Sequence, residues 1–129
     1  MQAFYGQCEI TLCYMGASMR GHSITVSISG SGGSGVVTTG SVLLKGMANA
    51  GFYGHLSRFS GPQIRGGESA VILHFSDHPV EYTADASDLH FAFDWRGFER
   101  FSDEIPLDKN SRIIYDSRQE TLPESLAKI

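Results

Sequence analysis

The chain has 129 residues, 41% of them hydrophobic and 19% charged, which is the composition of one soluble globular domain and too short for two. A formal net charge of −4 gives no general attraction to nucleic acid, and no apolar run approaches the roughly 20 residues that span a bilayer. The two cysteines, Cys8 and Cys13, lack CxxC spacing, so the chain carries neither a disulfide framework nor a four-thiolate iron–sulfur site of its own.

Residues 1–18 show weak alternation that soon fades, and no positive segment precedes an apolar one. They read as an extension or an edge segment, with the domain proper expected over 19–129. Ile24–Ser29 (ITVSIS) is a β-branched run that meets a glycine cluster, the pattern of a buried strand entering a tight turn. Val36–Ala50 reads as a helix with Val36, Leu43, Met47 and Ala50 on one face and Gly51 as its stop. Gly40 and Gly46 each weaken this helix by about 1 kcal/mol relative to alanine, unless they let it lie close against a strand or a partner. Phe52–Phe59 is a second strand, Ser60–Gly67 a loop, and Ser69–Phe75 the strongest strand signal of the chain. A turn over Ser76–Pro79 leads into a short antiparallel strand at Val80–Tyr82. Leu89–Asp94 is another buried strand. Trp95–Phe101 is a short helix that turns Trp95, Phe98 and Phe101 into the core. Arg112–Tyr115 is the last strand, and Leu122–Ile129 opens a helix or a new segment. This alternation predicts an α/β fold in three layers, with a mixed, mostly parallel sheet and a Rossmann-like strand–glycine-loop–helix start.

The glycine cluster carries the clearest chemistry. Gly30, Ser31, Gly32, Gly33, Ser34 and Gly35 fit GxGxxG between a strand and a helix, where free amides at a helix start suit a phosphate. The bland reading is a turn that only packs helix on strand. A dinucleotide site would also need an acid at the end of the second strand, about 20 residues on. Residues 50–60 contain none, and the first acid after the loop is Glu68. Arg65, flanked by Gly66 and Gly67, offers a guanidinium to phosphate or carboxylate, or else pins its own loop to nearby carbonyls or to Glu68. The histidines show no metal-ligand spacing, and His74 and His90 read as hydrogen-bonded strand residues. No GxSxG elbow is present, so no catalytic residue and no metal ligand is assigned.

Four stretches combine in order and at domain spacing: Gly30–Gly40 (GSGGSGVVTTG), Ser57–Gly67 (SRFSGPQIRGG), Ser76-Asp77-His78-Pro79-Val80, and Asp88–Asp94 (DLHFAFD). Together they resemble the gamma domain of the 2-oxoacid:ferredoxin oxidoreductases, the family of pyruvate and 2-oxoglutarate synthases. The resemblance runs from about Ile24 to Ile114. The form SGPQIRGGE followed by DWRGFERFSDEIPL is most similar to the domain that opens the alpha subunit of the 2-oxoglutarate-type enzymes.

The resemblance implies a cytoplasmic heteromeric enzyme that decarboxylates a 2-oxoacid, here 2-oxoglutarate, on thiamine diphosphate. Electrons pass through iron–sulfur clusters to ferredoxin, and an acyl-CoA forms. Thiamine diphosphate, magnesium and the clusters would sit in partner domains, in a thiamine-binding subunit or domain of the same complex. This chain would supply the coenzyme A-side surface, with Gly30–Gly35 and Arg65 toward the coenzyme A. Neither nucleic acid nor membrane is implied as a partner. The family domain continues past the point where this chain ends, so the domain is expected to be incomplete at its C-terminal side and inactive alone. The alternative is a non-catalytic nucleotide-binding or subunit-assembly module. Anaerobic reconstitution of the full chain with iron and sulfide should therefore yield no cluster absorbance, and stoichiometric iron and sulfide would refute this.

Overall fold

A computed structural model describes residues 23–60, 67–80, 85–118 and 122–126. The expectations for 1–18, for Cys8 and Cys13, for most of the strand at 80–82, and for the 61–66 loop with Arg65 lie outside the described residues. Five strands form one sheet in the order β2-β3-β1-β4-β5: β1 (Ser23–Ser31), β2 (Tyr53–Ser60), β3 (Glu68–Ser76), β4 (Leu89–Ala92) and β5 (Arg112–Ile114). β3 runs antiparallel to both of its neighbours, β1 and β2, whereas β1, β4 and β5 pair in parallel. Four of the five strands thus point the same way, and the sheet is mixed and mostly parallel as the alternation predicts.

The β1 sequence explains its central place. Its period of two sends Ile24, Val26 and Ile28 to one face and Thr25, Ser27 and Ser29 to the other. Apart from the partly covered Ile24, both sets are buried. The apolar set meets Val71, Leu73 and Phe75 of β3 and is covered by α1 (Val36–Asn49), which contributes Val36 and Met47 to that core. The opposite face is covered by the chain between β4 and β5. There Phe98 of the short α2 (Phe98–Phe101) and Ile105 join Ala70 and Leu126, with Trp95, Leu107 and Ile113 packed around them. These are the three layers.

Helix α1 ends one residue earlier than its pattern predicts. Ala50 is exposed and caps the helix. Gly51, at φ 89, takes the left-handed position: its N–H donates to Ala48 O at 3.0 Å and the Phe52 N–H donates to Met47 O at 3.1 Å. This is the 6→1, 5→2 closure that glycine favours. The expected helix at Trp95–Phe101 shrinks to Phe98–Phe101, because Gly97 at φ 70 turns the chain just before it. Trp95 and Phe98 still pack into the core as expected, whereas the side chain of Phe101 lies outside the described set. Val80 is not in a strand, β4 stops at Ala92, and β5 stops at Ile114. In residues 122–126 a turn at Glu124 and Ser125 tightens into a 3-10 conformation at Leu126, whose N–H donates to Pro123 O at 3.1 Å, and the rest of the expected segment lies outside the described residues. Among the described residues no helix is long and apolar enough to cross a membrane.

The two glycines within α1 have opposite roles. A Cβ on Gly40 would lie 2.9 Å from Val71 Cγ2 and 3.4 Å from Leu56 Cδ1, so this glycine lets the helix rest on β3 and β2. A Cβ on Gly46 would meet nothing within 4 Å. Overcrowding a packed core costs about 1–3 kcal/mol, while alanine gains about 1 kcal/mol of helix propensity. Gly40→Ala should therefore destabilise the fold by about 1 kcal/mol, and Gly46→Ala should stabilise it by about 0.5–1 kcal/mol, as read by denaturant unfolding. Shifts of the same sign would contradict the packing described for α1.

Candidate functional site

The carboxyl ends of β1, β2, β4 and β5 share one edge of the sheet, because Gly30 and Ser60 both pair with Ser69 and because β4 and β5 run parallel to β1. From β1 the chain leaves through α1 over one face toward β2. The chain from β4 to β5 passes over the other face. The gap between β1 and β4 at this edge is thus a topological switch point, where open α/β sheets bind ligands.

The glycine loop lies at this edge. A Cβ on Gly30 would come within 2.7 Å of Ser34 Oγ, 3.0 Å of Val36 Cγ2 and 3.1 Å of Phe93 Cβ, so only glycine lets strand, loop and helix meet here. Gly33 and Gly35 hold φ of 90 and 92, which an L side chain rarely adopts. The loop amides divide into two groups. The Ser31 N–H donates to Asp94 Oδ2 at 2.9 Å, the Gly32 N–H to Gly67 O, and the Ser34 N–H to Ser31 O at 3.0 Å. The first helical bond runs from the Thr39 N–H to Gly35 O at 2.8 Å. The amides of Gly33, Gly35, Val36, Val37 and Thr38 have no acceptor among the described residues, and no side chain caps α1 and no acid stands in its first turn. An anion would find its donors in that second group.

The 61–66 loop, with Arg65, connects Ser60 to Gly67, both at the same edge. Of the four motif stretches, three reach this edge: the glycine loop, the end of Ser57–Gly67, and the Asp94 end of Asp88–Asp94. The turn after Ser76 lies at the opposite edge, where Ser76 pairs with Ser23 and Tyr53. There the Ser76 hydroxyl and the Asp77 carboxylate both meet His78 Nδ1, at 2.9 and 2.7 Å.

A dinucleotide site would use an acid on the strand next to β1 after the first crossover. Here β3 stands between β1 and β2, so the end of β2 is two strands away. Glu68 stands opposite Ser31 at the start of β3, and the acid seen to bond the loop is Asp94, which sequence spacing did not single out as a site residue. Its Oδ2 also accepts from Ser31 Oγ at 2.7 Å, and its Oδ1 accepts from the Arg96 N–H at 3.0 Å. The only signal was an aspartate closing the DLHFAFD strand, and it became readable once β4 was known to lie beside β1.

Beneath the loop, the second face of β1 is polar and buried. His90 Nδ1 lies 2.7 Å from Ser27 Oγ and His90 Nε2 lies 3.1 Å from Ser29 Oγ, with Phe98 and Trp95 against the ring at centroid distances of 5.7 and 6.2 Å. Burial pushes the His90 pKa down to about 4, so the ring is neutral at pH 7. His74, also buried, meets Thr25 Oγ1 at 2.8 Å; desolvation lowers its pKa, Asp88 opposes that shift, and His55 and His78 reinforce it. Both histidines are the hydrogen-bonded strand residues expected of them. Among the described residues no three His, Cys, Asp or Glu side chains converge as metal ligands.

Residues 25–128 match the family model of the pyruvate ferredoxin/flavodoxin oxidoreductases. Among solved structures, the chain is similar to the 2-oxoglutarate:ferredoxin oxidoreductase of Magnetococcus marinus, solved with 2-oxoglutarate, coenzyme A and succinyl-CoA bound. That likeness has a TM-score of 0.69 at 21% identity and covers 79% of this chain and 18% of that one. The gamma subunit of a keto/oxoacid ferredoxin oxidoreductase from Geobacter sulfurreducens gives a TM-score of 0.59 at 22% identity, covering 80% and 56%. A pyruvate oxidoreductase subunit from Thermotoga maritima gives 0.57 at 15%, covering 76% and 52%. The chain spans about half the length of these two subunits and less of the first protein. At such identities the likeness is one of fold. No curated protein shows a significant match.

The buried histidine makes the site's foundation sensitive to acid. In the unfolded chain His90 titrates near 6.5, and in the folded chain near 4. Between these values the unfolded state holds the extra proton, so stability is complete above about pH 6.5 and falls as the pH drops toward about 4, by about 3 kcal/mol. Denaturant unfolding across this window should show a shallower pH slope for His90→Asn than for the native chain. Equal slopes would mean that His90 does not carry the effect.

Proposed function

We propose that this chain, which belongs to the pyruvate ferredoxin/flavodoxin oxidoreductase family, acts as a gamma-type domain of a 2-oxoacid:ferredoxin oxidoreductase and supplies the coenzyme A-side surface of its active site. The complex would work in the cytoplasm, with 2-oxoglutarate as its 2-oxoacid. The observation that carries this reading is the meeting, at the carboxyl edge of the sheet, of the glycine loop, which borders the switch point, and the flanks of the 61–66 loop. A phosphate of coenzyme A would take the open amides of Gly33 and Gly35–Thr38, and Arg65 would face it from the neighbouring loop.

The chain's own donors do not suit the redox groups of such an enzyme. Its two cysteines are fewer than the four thiolates of a cluster, and the described residues offer no metal-ligand trio. In this reading thiamine diphosphate, magnesium and the clusters belong to a thiamine-binding subunit or domain and to the path toward ferredoxin. The chain binds and orients, and its partners carry the electrons. The alternative of a subunit-assembly module draws on the exposed Phe93 and Ile114, which lie on the sheet face beyond the cover of α1.

A charge-assisted hydrogen bond contributes about 1.5–3 kcal/mol. Arg65→Ala in the assembled enzyme should thus raise KM for coenzyme A by about tenfold to a hundredfold, while KM for the 2-oxoacid moves much less. Unchanged coenzyme A kinetics together with dissociation of the complex would make Arg65 a loop anchor and favour the assembly reading.

A further inference from the structure

We propose that Asp94 is a positioning residue of the glycine loop: its carboxylate sets the loop so that only the second half, Gly33 onward, is open to a ligand. The inference rests on the reading of this edge as the coenzyme A-side surface.

The carboxylate joins two segments that are distant in sequence. Phe93 extends the β1–β4 pairing by one more bond, its N–H donating to Ser29 O at 2.9 Å. The chain then turns, and the Arg96 N–H at 3.0 Å from Oδ1 orients the carboxylate toward β1. Oδ2 receives both the N–H and the hydroxyl of Ser31, at 2.9 and 2.7 Å. Ser31 O in turn accepts the Ser34 N–H at 3.0 Å and the Ser34 hydroxyl at 2.6 Å. Carboxylate, Ser31 peptide and Ser34 thus form one continuous chain of hydrogen bonds, and Gly33 and Gly35 hang from it. Glycines at φ near 90 have little stiffness of their own, so their amide directions come from such ties. The other tie described is Gly32 N–H to Gly67 O.

The charge has a second effect. Asp94 occupies the donors of Ser31 and places a negative charge beside the first half of the loop, which repels an incoming phosphate there. The amides from Gly33 to Thr38 that have no acceptor among the described residues lie past that point. Asp94 therefore selects where on the loop an anion sits as well as holding the loop still.

In the assembled enzyme, Asp94→Ala should raise KM for coenzyme A about tenfold, with kcat and KM for the 2-oxoacid moving less than about twofold. Asp94→Asn keeps an oxygen for Ser31 and should return KM for coenzyme A to within about threefold of the native value. In the full chain, the Ser31 amide should exchange with solvent faster in Asp94→Ala than in Asp94→Asn. If Asp94→Ala does not assemble, Ser31→Ala removes one bond to the same oxygen, and a rise of about twofold to fourfold in KM for coenzyme A at an unchanged melting temperature supports the role. Unchanged coenzyme A kinetics in Asp94→Ala, beside a raised KM in Arg65→Ala, overturn the role of Asp94 and leave the coenzyme A reading standing. Unchanged kinetics in both variants overturn that reading and this inference with it. Equal rises for both substrates, or no rescue by asparagine, make Asp94 a structural residue only.

Discussion

A neutral imidazole held between two hydroxyls joins β1 to β4. His90 comes from β4, Ser27 and Ser29 come from β1, and none of the three is reached by solvent to any extent that could replace the bonds between them. A buried polar group without a partner costs about 1–3 kcal/mol, so each member depends on the others being in register. The parallel pairing of Val26 with Leu89 through Ser29 with Ala92 is the register that satisfies them. The Asp94–Ser31 contact lies just beyond it on the same seam. The position of the glycine loop relative to the β4 end therefore follows from a hydrogen-bond requirement in the core.

The two faces of the sheet differ in chemistry. The face under α1 is apolar and closes by shape, which is why glycine is needed at Gly40, where the helix rests on Val71 and Leu56, and at Gly54, where Leu44 and Phe75 come close. The second face closes by matched donors and acceptors, Thr25 with His74, and Ser27 and Ser29 with His90, whose ring Trp95 and Phe98 cover. Placing the two covering segments on opposite faces opens the carboxyl edge between β1 and β4. The same topology separates the motif stretches, sending the turn after Ser76 to the far edge.

In the proposed function the open edge holds a ligand rather than transforming it. His90, whose pKa burial pushes down to about 4, is sealed beneath the loop. The edge itself offers backbone amides, a carboxylate already bonded to Ser31, and the half-exposed Phe93. Such a surface suits the binding role proposed for this chain, whose fold is similar to that of the gamma subunit of the Geobacter sulfurreducens oxidoreductase.

Much of the fold was legible in the residues, because local rules govern those parts. The β-branched run before a glycine cluster, the helix face of Val36 and Met47, and the stop at Gly51 each depend on neighbours a few positions away. The glycine loop and its place between strand and helix were legible for the same reason. The resemblance in four ordered stretches pointed to the family that the match over 25–128 shows. What sequence spacing did not reveal was which strands lie side by side. Strand order comes from long-range pairing, and the insertion of β3 between β1 and β2 moved the relevant acid from the end of β2 to Asp94. The ITVSIS pattern marked a buried strand, but the partners of its hydroxyls, His74 and His90, come from strands about 50 and 60 residues away. Local sequence was enough for the main strands, for α1 and for the glycine loop. Tertiary structure decided which amides of that loop remain open, because that depends on acceptors brought to it from β4 and from the start of β3.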